Sequence, residues 1–176
     1  AFAVSQKISA LSLGDAALKS IGIRKGLPET EDQALVYLFM ASSSLSGEDY
    51  EKLLDDFIRQ FPANADGYLR RANYYASKGK DDQTWYDKAV ADFNQALKVA
   101  QKKDDVYYNI GKLMYAYQLS KPEKTYKDWT YDTALKNVRQ AIAIDPLPIY
   151  IQMEGDILFA QQDLSLIHIS EPTRLR

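Results

Sequence analysis

The chain has 176 residues, of which 46% are apolar and 26% are charged, and its formal net charge is −2. The apolar content is too high for a wholly disordered chain, and the slightly acidic balance gives no basic surface for nucleic acid. Cysteine is absent, which excludes disulfides, thiolate catalysis and zinc–thiolate sites. The sequence has no apolar run as long as a membrane-spanning helix requires, so we expect a chain that does not span a membrane.

Helical spacing dominates the sequence from its beginning. Residues 1–30 are predicted to be a helical lead-in, with one or two short helices around Gly14. Its opening Ala-Phe-Ala has the small-x-small form of a signal-peptidase site, which leaves two interpretations, an exported protein and an ordinary helical start. Farther along, residues 31–44 and 50–61 carry their apolar residues on one side of a predicted helix, and Pro62 ends the second of these.

Two kinds of segment recur along the chain. Residues 85–100 align with residues 130–145, and both read Tyr-Asp-x-Ala followed by apolar residues at helical spacing. A different segment recurs at residues 67–79, 106–118 and 149–162, with a small residue at the same place in each copy. The matched pairs of the first kind are Ala89/Ala134, Phe93/Val138, Ala96/Ala141 and Leu97/Ile142, and the small residues of the second kind are Ala72, Gly111 and Gly155.

This pattern resembles the tetratricopeptide repeat (TPR) family, whose unit is a helix A followed by a helix B. Members of that family have a small residue in the middle of helix A, an Ala, aromatic and Ala series along helix B, and a Pro after it, as Pro146 is here. A small residue is needed because the two helices approach closely. We therefore expect a bulky replacement at Gly111 or Ala134 to destabilise the protein by about 1–3 kcal/mol.

The resemblance implies an all-α fold, built as an α-α superhelix (solenoid) of antiparallel helix pairs. It implies about three and a half repeats, with the array truncated at its C-terminal end. The repeats would occupy residues 31–62, 65–101, 104–146 and, in part, 148–163.

The chain departs from the family pattern between helix A and helix B. The connecting segments 78–87 and 120–132 are longer than that pattern provides, and each contains one of the two tryptophans, Trp85 and Trp129. In one interpretation each indole covers the ends of its own helices. In the other the two rings form an aromatic edge that contacts a partner, because Trp and Tyr often anchor interfaces.

Residues 164–176, LSLIHISEPTRLR, lack the spacing expected of the next helix B. They resemble the translation of a transposase-based sequencing adaptor, so we expect a non-native tail in which His168, the only histidine, has no function. The alternative is a native apolar strand with a basic end. If the tail is foreign, the last helix A has no partner helix, and Ile151, Leu158 and Phe159 should be partly exposed or loosely covered by the tail.

The rest of the sequence predicts no catalytic, metal or cofactor site. Apart from His168 it has no His or Cys, its glycines form no phosphate-binding loop, and its Asp-Asp pairs lack the spacing of a calcium loop. These pairs, at 55–56, 81–82 and 104–105, are interpreted as solvated turns and helix starts. We therefore expect no enzyme within this chain and no cofactor.

In the TPR-like interpretation a concave surface is lined by helix A, which makes binding the expected activity. A mixed aromatic and polar lining of this kind suits an extended peptide or a helix. For Tyr115, and for Phe159 in the last repeat, the alternative is packing between repeats. The residues predicted to line this groove are Asn73 in one repeat, Tyr108, Lys112 and Tyr115 in the next, and Gln152 and Asp156 in the last.

These observations predict a non-catalytic scaffold that binds a protein or peptide partner, and no nucleic acid. One alternative is a glycan-associated protein of the cell envelope with TPR-like helices, in which Trp85, Trp129 and several tyrosines stack on sugars. A second alternative is the regulatory arm of a larger enzyme. The expected location is the bacterial periplasm or cell envelope, with the cytoplasm as the alternative.

Overall fold

The computed structural model describes residues 27–43, 45, 47–79, 82–124 and 126–170, with side chains described as far as residue 162. Within these ranges the chain forms seven α-helices and no β-strand, so the protein is all-α. The short helices predicted around Gly14 lie outside the described residues. The helices are α1 (Glu31–Ala41), α2 (Gly47–Gln60), α3 (Ala65–Lys78), α4 (Thr84–Val99), α5 (Asp104–Ser120), α6 (Tyr131–Ile144) and α7 (Pro148–Ser170).

The chain divides into two compact units, Ala1–Ala100 and Gln101–Arg176. In the first unit, α2 packs on α1 and α3, and α3 packs along α4. In the second unit, α5 packs along α6, and α7 packs on α6 and contacts α5. Each unit is therefore built from helices that are neighbours in the sequence. None of the helices in the described part of the chain combines the length and the apolar character that crossing a bilayer requires.

Local sequence signals account for where several helices begin and end. Asn64 caps α3, and its side-chain oxygen accepts a hydrogen bond from the backbone N–H of Asp66 at 2.8 Å. At the start of α6, Thr130 and Thr133 each accept a hydrogen bond from the other's backbone N–H, which forms a capping box. Pro148 occupies the first turn of α7, where its missing N–H costs no helical hydrogen bond.

The small residues of the repeat lie where paired helices touch. In the first unit Ala72 of α3 and Ala89 of α4 are completely buried, and Phe93 is 2% exposed. In the second unit a methyl group built on Gly111 of α5 would lie 2.7 Å from Val138 Cγ2 of α6, closer than carbon atoms can approach. The close approach that the sequence pattern predicted is therefore present in both units.

Gly155 is different, although it occupies the same place in the repeat as Gly111. A methyl group built on Gly155 would meet no atom within 4 Å, and none of the described helices packs on this side of α7. Ile151, Leu158 and Phe159 are 50%, 38% and 67% exposed, as predicted for a last helix A without a partner.

The helix α7 is longer than the sequence predicted. It was expected to end near Gln162, but its backbone stays helical to Ser170. The alternative of an apolar strand is therefore wrong for residues 164–170, and residues 171–176 lie outside the described residues. The side chain of His168 is also outside them, and the adaptor origin of residues 164–176 stays a prediction.

Candidate functional site

Five of the predicted groove residues lie in the second unit, on α5 and α7. Tyr108, Lys112 and Tyr115 are spaced four and three residues apart on α5, and Gln152 and Asp156 are four apart on α7, so each set follows one side of its helix. Lys112, Gln152 and Asp156 are exposed, Tyr115 is half-buried, and Tyr108 is only 8% exposed. We call these five residues the α5–α7 face.

The contact between α5 and α7 brings part of this face together, and the electrostatics of its tyrosines are consistent with this. Burial raises the pKa of Tyr108, and the carboxylates of Asp105 and Asp156 raise it further. Burial also raises the pKa of Tyr115, and Asp156 again adds to the shift. The carboxylate of Asp156 on α7 therefore lies within electrostatic range of both tyrosines on α5. Both phenols stay protonated at neutral pH and can donate hydrogen bonds.

Tyr108 is the buried member of the face, and little of its side chain is accessible to solvent. Its ring lies 4.8 Å from the ring of Tyr150, measured between centroids, and Tyr150 is itself 3% exposed. The hydroxyl of Tyr150 donates a hydrogen bond to Asp104 Oδ2 at 3.2 Å. Burial, followed by the nearby carboxylates, raises the pKa of Tyr150.

Asp104 corrects one sequence expectation. The pair at 104–105 was interpreted as a solvated helix start, but Asp104 is 6% exposed. Besides Tyr150 it faces the ammonium group of Lys102 at 3.5 Å, and Lys102 also pairs with Asp145. The expectation was wrong because Tyr150 comes from the start of α7, 46 positions away, and spacing in the sequence does not reveal this partner.

Tyr115 lies at the edge of the face. Its ring centroid is 5.9 Å from that of Tyr131 on α6, and it packs against the core formed by α6 and α7. The alternative of packing between helices therefore applies to part of the ring. Because the side chain is half-buried, the remaining surface is available to a ligand.

Trp129 does not provide the exposed aromatic edge that was predicted. It is 3% exposed, and its ring packs against Tyr117 at 5.4 Å and Tyr126 at 4.7 Å, both in edge-on geometry. The connection between α5 and α6 therefore folds onto the end of α5 around this indole. Lys127, with a φ of 52°, makes the sharp backbone turn within it. This arrangement agrees with the interpretation in which the indole covers its own helix ends.

Trp85 is half-buried in the first turn of α4, in the first unit. Two ammonium groups approach its ring, those of Lys78 at 4.5 Å and Lys88 at 4.1 Å from the centroid. Lys78 also pairs with Glu51 at 3.4 Å, and the ring of Tyr75 lies 5.6 Å from the indole. Trp85 therefore keeps some accessible surface, in a basic and aromatic setting.

Asn73, the remaining predicted groove residue, lies on α3 in the first unit. It is exposed and borders an open depression of about 330 Å³. Tyr50, Arg70 and Tyr74 line the same depression. Asn73 therefore belongs to a surface that residues of the first unit form.

A charge network that links three helices of the first unit was missed in the sequence. Arg71 of α3 donates to both carboxylate oxygens of Asp92 on α4, at 2.7 and 2.8 Å, and to Asp55 of α2 at 2.7 Å. These bonds raise the pKa of Arg71, with the Asp92 hydrogen bond as the largest cause. Asp92 is 5% exposed, so the bidentate pair joins α3 and α4 inside the unit.

A sequence signal for this network existed. Asp92 follows Ala89 by three residues and precedes Ala96 by four, which puts a carboxylate on the buried side of α4. Asp55 was interpreted as part of a solvated turn or helix start. It lies instead within α2 and pairs with Arg71.

Among the described residues, no group of three or more His, Cys, Asp or Glu side chains is arranged to bind a metal ion. The chain matches no family model, no curated protein and no solved structure. The class of protein therefore has to be taken from the fold and the α5–α7 face alone. The described residues form an all-α protein of paired helices with a mixed aromatic and charged surface.

Proposed function

We propose that this chain is a non-catalytic, TPR-like scaffold that binds an extended peptide or a protein partner through the α5–α7 face. The paired helices with small residues at their contacts support the TPR-like interpretation. The mixed character of the face supports a binding role, because such surfaces combine apolar contact with hydrogen bonding.

One observation carries this proposal: α5 and α7 contact each other beside these residues, where the ring centroids of Tyr108 and Tyr150 lie 4.8 Å apart. Asp156 lies on the same helix as Tyr150, and its charge adds to the raised pKa of Tyr108 and of Tyr115. Tyr115 supplies a partly accessible ring, Lys112 a cation, and Asp156 with Gln152 polar groups. An extended peptide could place an apolar side chain on the ring of Tyr115 and satisfy its polar groups beside Asp156 and Lys112.

The test is a selection of random peptides on the immobilised full chain, followed by calorimetric titration of the enriched sequences. A matched pair of variants, Lys112→Glu and Lys136→Glu, reverses one exposed lysine in the face and one on α6 outside it. We expect the first variant to weaken binding by about tenfold and the second to change it by less than about twofold. Tyr115→Ala should weaken binding to a similar extent as Lys112→Glu.

Failure to enrich any peptide would contradict the proposal. So would peptides that bind wild type and all three variants with equal affinity, because the face would then make no contact with them. Circular dichroism of each variant, compared with wild type, separates loss of contact from loss of structure.

The partial exposure of Trp85 favours a second candidate, a glycan-associated protein. A sugar could stack on the accessible part of the indole, beside Lys78 and Lys88. Retention of the full chain on a glycan column, released by free sugar and reduced in Trp85→Ala, would support this function over the peptide scaffold. The burial of Trp129 removes one of the two rings on which the sequence argument for glycans relied.

A further inference from the structure

The helix α7 exposes an apolar side that the described side chains of its own unit do not cover. Ile151, Gly155 and Leu158 are spaced four and three residues apart and therefore lie in one line along the helix. Ile151 and Leu158 are 50% and 38% exposed, and Gly155 between them has open space where a side chain would be. We call these three residues the α7 stripe.

The corresponding line on α5 is covered by a helix. Tyr107, Gly111 and Met114 occupy the same places in the repeat. Gly111 is pressed against Val138 of α6, Met114 packs on the core that α6 forms with α7, and Tyr107 packs on the cluster that contains Ala141. In the second unit, this line of a helix A is therefore where a helix B packs.

The first unit repeats the arrangement. On α3 the same line consists of Tyr68, Ala72 and Tyr75. Ala72 is completely buried, and the ring of Tyr75, which is 9% exposed, lies 5.6 Å from Trp85 of α4. Both complete pairs thus use this line in the same way.

The other side of α7 is already occupied. Tyr150 and Ile157 are buried, and together with Met153 they pack on α5 and α6. Because α7 stays helical to Ser170, the backbone up to that residue does not turn back over the stripe. The stripe is therefore a second contact surface on a helix that is already anchored.

We propose that the α7 stripe binds one amphipathic α-helix of another polypeptide, in the way that α5 binds α6. The helix would carry two small residues seven positions apart with a β-branched or aromatic residue between them, as Ala134, Val138 and Ala141 do. The small residue lets the partner helix approach Gly155, and its apolar neighbours cover Ile151 and Leu158.

Charge adds a second requirement on the partner. Glu154, four residues before Leu158, is the acidic side chain that borders the stripe, and the described part of α7 has no Lys or Arg. Glu154 already accepts a hydrogen bond from Arg139 of α6 at 2.6 Å, which shows how α7 pairs with a cationic helix. We therefore expect Lys or Arg beside the apolar line of the partner helix.

A second copy of this chain fits less well. Its helices with the required pattern are α4 and α6, and their small residues Ala89, Ala96, Ala134 and Ala141 are all completely buried. The apolar residues that a second copy exposes on its described helices, Val36 and Phe39 on α1 and its own α7 stripe, do not have this pattern of two small residues seven positions apart. A separate helix is therefore the better match.

The probe is a synthetic peptide of residues 130–145, the sequence of α6, with a covalent staple linking positions 136 and 140. Both positions are exposed in α6, and the staple keeps this short segment helical in solution. The peptide is titrated calorimetrically into the full chain, and we expect one-to-one binding. The same peptide with Ala134→Leu should bind at least about tenfold more weakly, because a large residue prevents the approach to Gly155.

The matched control lies two residues away on the same helix. Ile151 and Ile149 are 50% and 54% exposed, but they point to different sides of α7. We expect Ile151→Asp to weaken peptide binding by about tenfold or more, and Ile149→Asp to change it by less than about twofold.

Three outcomes would overturn the proposal. The first is no binding heat at millimolar peptide. The second is binding that ignores Ile151→Asp, because the peptide would then replace α6 within its own unit. The third is self-association of the chain in sedimentation that Ile151→Asp abolishes and the peptide does not displace, since the stripe would then bind a second copy. These measurements do not involve Lys112 or Tyr115, so their failure leaves the proposed function of the α5–α7 face standing.

Discussion

Replacing Gly111 by alanine adds one methyl group at the closest contact between α5 and α6. That methyl would lie 2.7 Å from Val138 Cγ2 and 2.8 Å from the backbone oxygen of Ala134. A side chain can rotate away, but the backbone oxygen can yield only if the two helices separate. We expect this overpacking to cost about 1–3 kcal/mol.

Gly155→Ala provides the matched comparison. In both helices alanine gains about 0.5–1 kcal/mol over glycine, because glycine loses more backbone freedom on folding. At Gly155 nothing opposes this gain, since the new methyl meets no atom within 4 Å. We therefore expect Gly155→Ala to stabilise the protein and Gly111→Ala to destabilise it. The helix gain cancels between the variants, so their difference equals the overpacking cost of about 1–3 kcal/mol.

Thermal and urea unfolding followed by circular dichroism measure this difference. For a unit of this size, about 1 kcal/mol corresponds to a change of roughly 4–8 °C in Tm. Equal shifts of the same sign in the two variants would refute the reasoning, because Gly111 would then make no closer helix contact than Gly155. Gly111→Leu should lower the free energy of unfolding further than Gly111→Ala does, whereas Gly155→Leu should cause no such loss.

Three further predictions concern a buried ion pair, two buried tyrosines and a helix cap. Asp92→Ala removes the bidentate partner of Arg71, which keeps its hydrogen bond to Asp55 and its contact with the ring of Tyr75, and should cost about 2–3 kcal/mol in urea unfolding; an unchanged midpoint would contradict this. Burial raises the pKa of Tyr37 and Tyr75 to about 12 from an unfolded value of 10.0, so the stability they contribute is present below pH 10 and is lost as the pH rises toward 12; denaturant titrations across that range test the loss. Thr130→Ala removes the N-cap of α6 and should cost about 1 kcal/mol, whereas Thr130→Ser should be nearly neutral.

The helix pairs and their contacts could be predicted from the sequence because they depend on local spacing. Ala72, Ala89, Phe93 and Gly111 stand at fixed intervals within short segments, and each lies at a helix contact as expected. The exposure of Ile151 and its neighbours followed from the same pattern, because the segment that should cover them lacks the required spacing.

The polar partners could not be predicted in this way. Asp104 meets Tyr150 across 46 positions, and Arg71 meets Asp92 across 21, so no local period links them. From the sequence alone, an acidic pair is expected to be solvated, because the cation or hydroxyl that binds it in the folded protein comes from a distant segment. The burial of Trp129 could not be predicted from local spacing either, because it depends on the packing of Tyr117 and Tyr126 against the indole.

The division of the chain puts one indole in each compact unit, Trp85 in the first and Trp129 in the second. Each unit therefore contains its own optical reporter. With Trp85→Phe, the emission should come from an enclosed ring, at short wavelength, and should move to the red only when the second unit opens. With Trp129→Phe, the emission should report the first unit, at a longer wavelength because that ring is half-exposed beside two ammonium groups. Comparing the two red shifts during unfolding would reveal whether the halves of this chain melt together or one after the other.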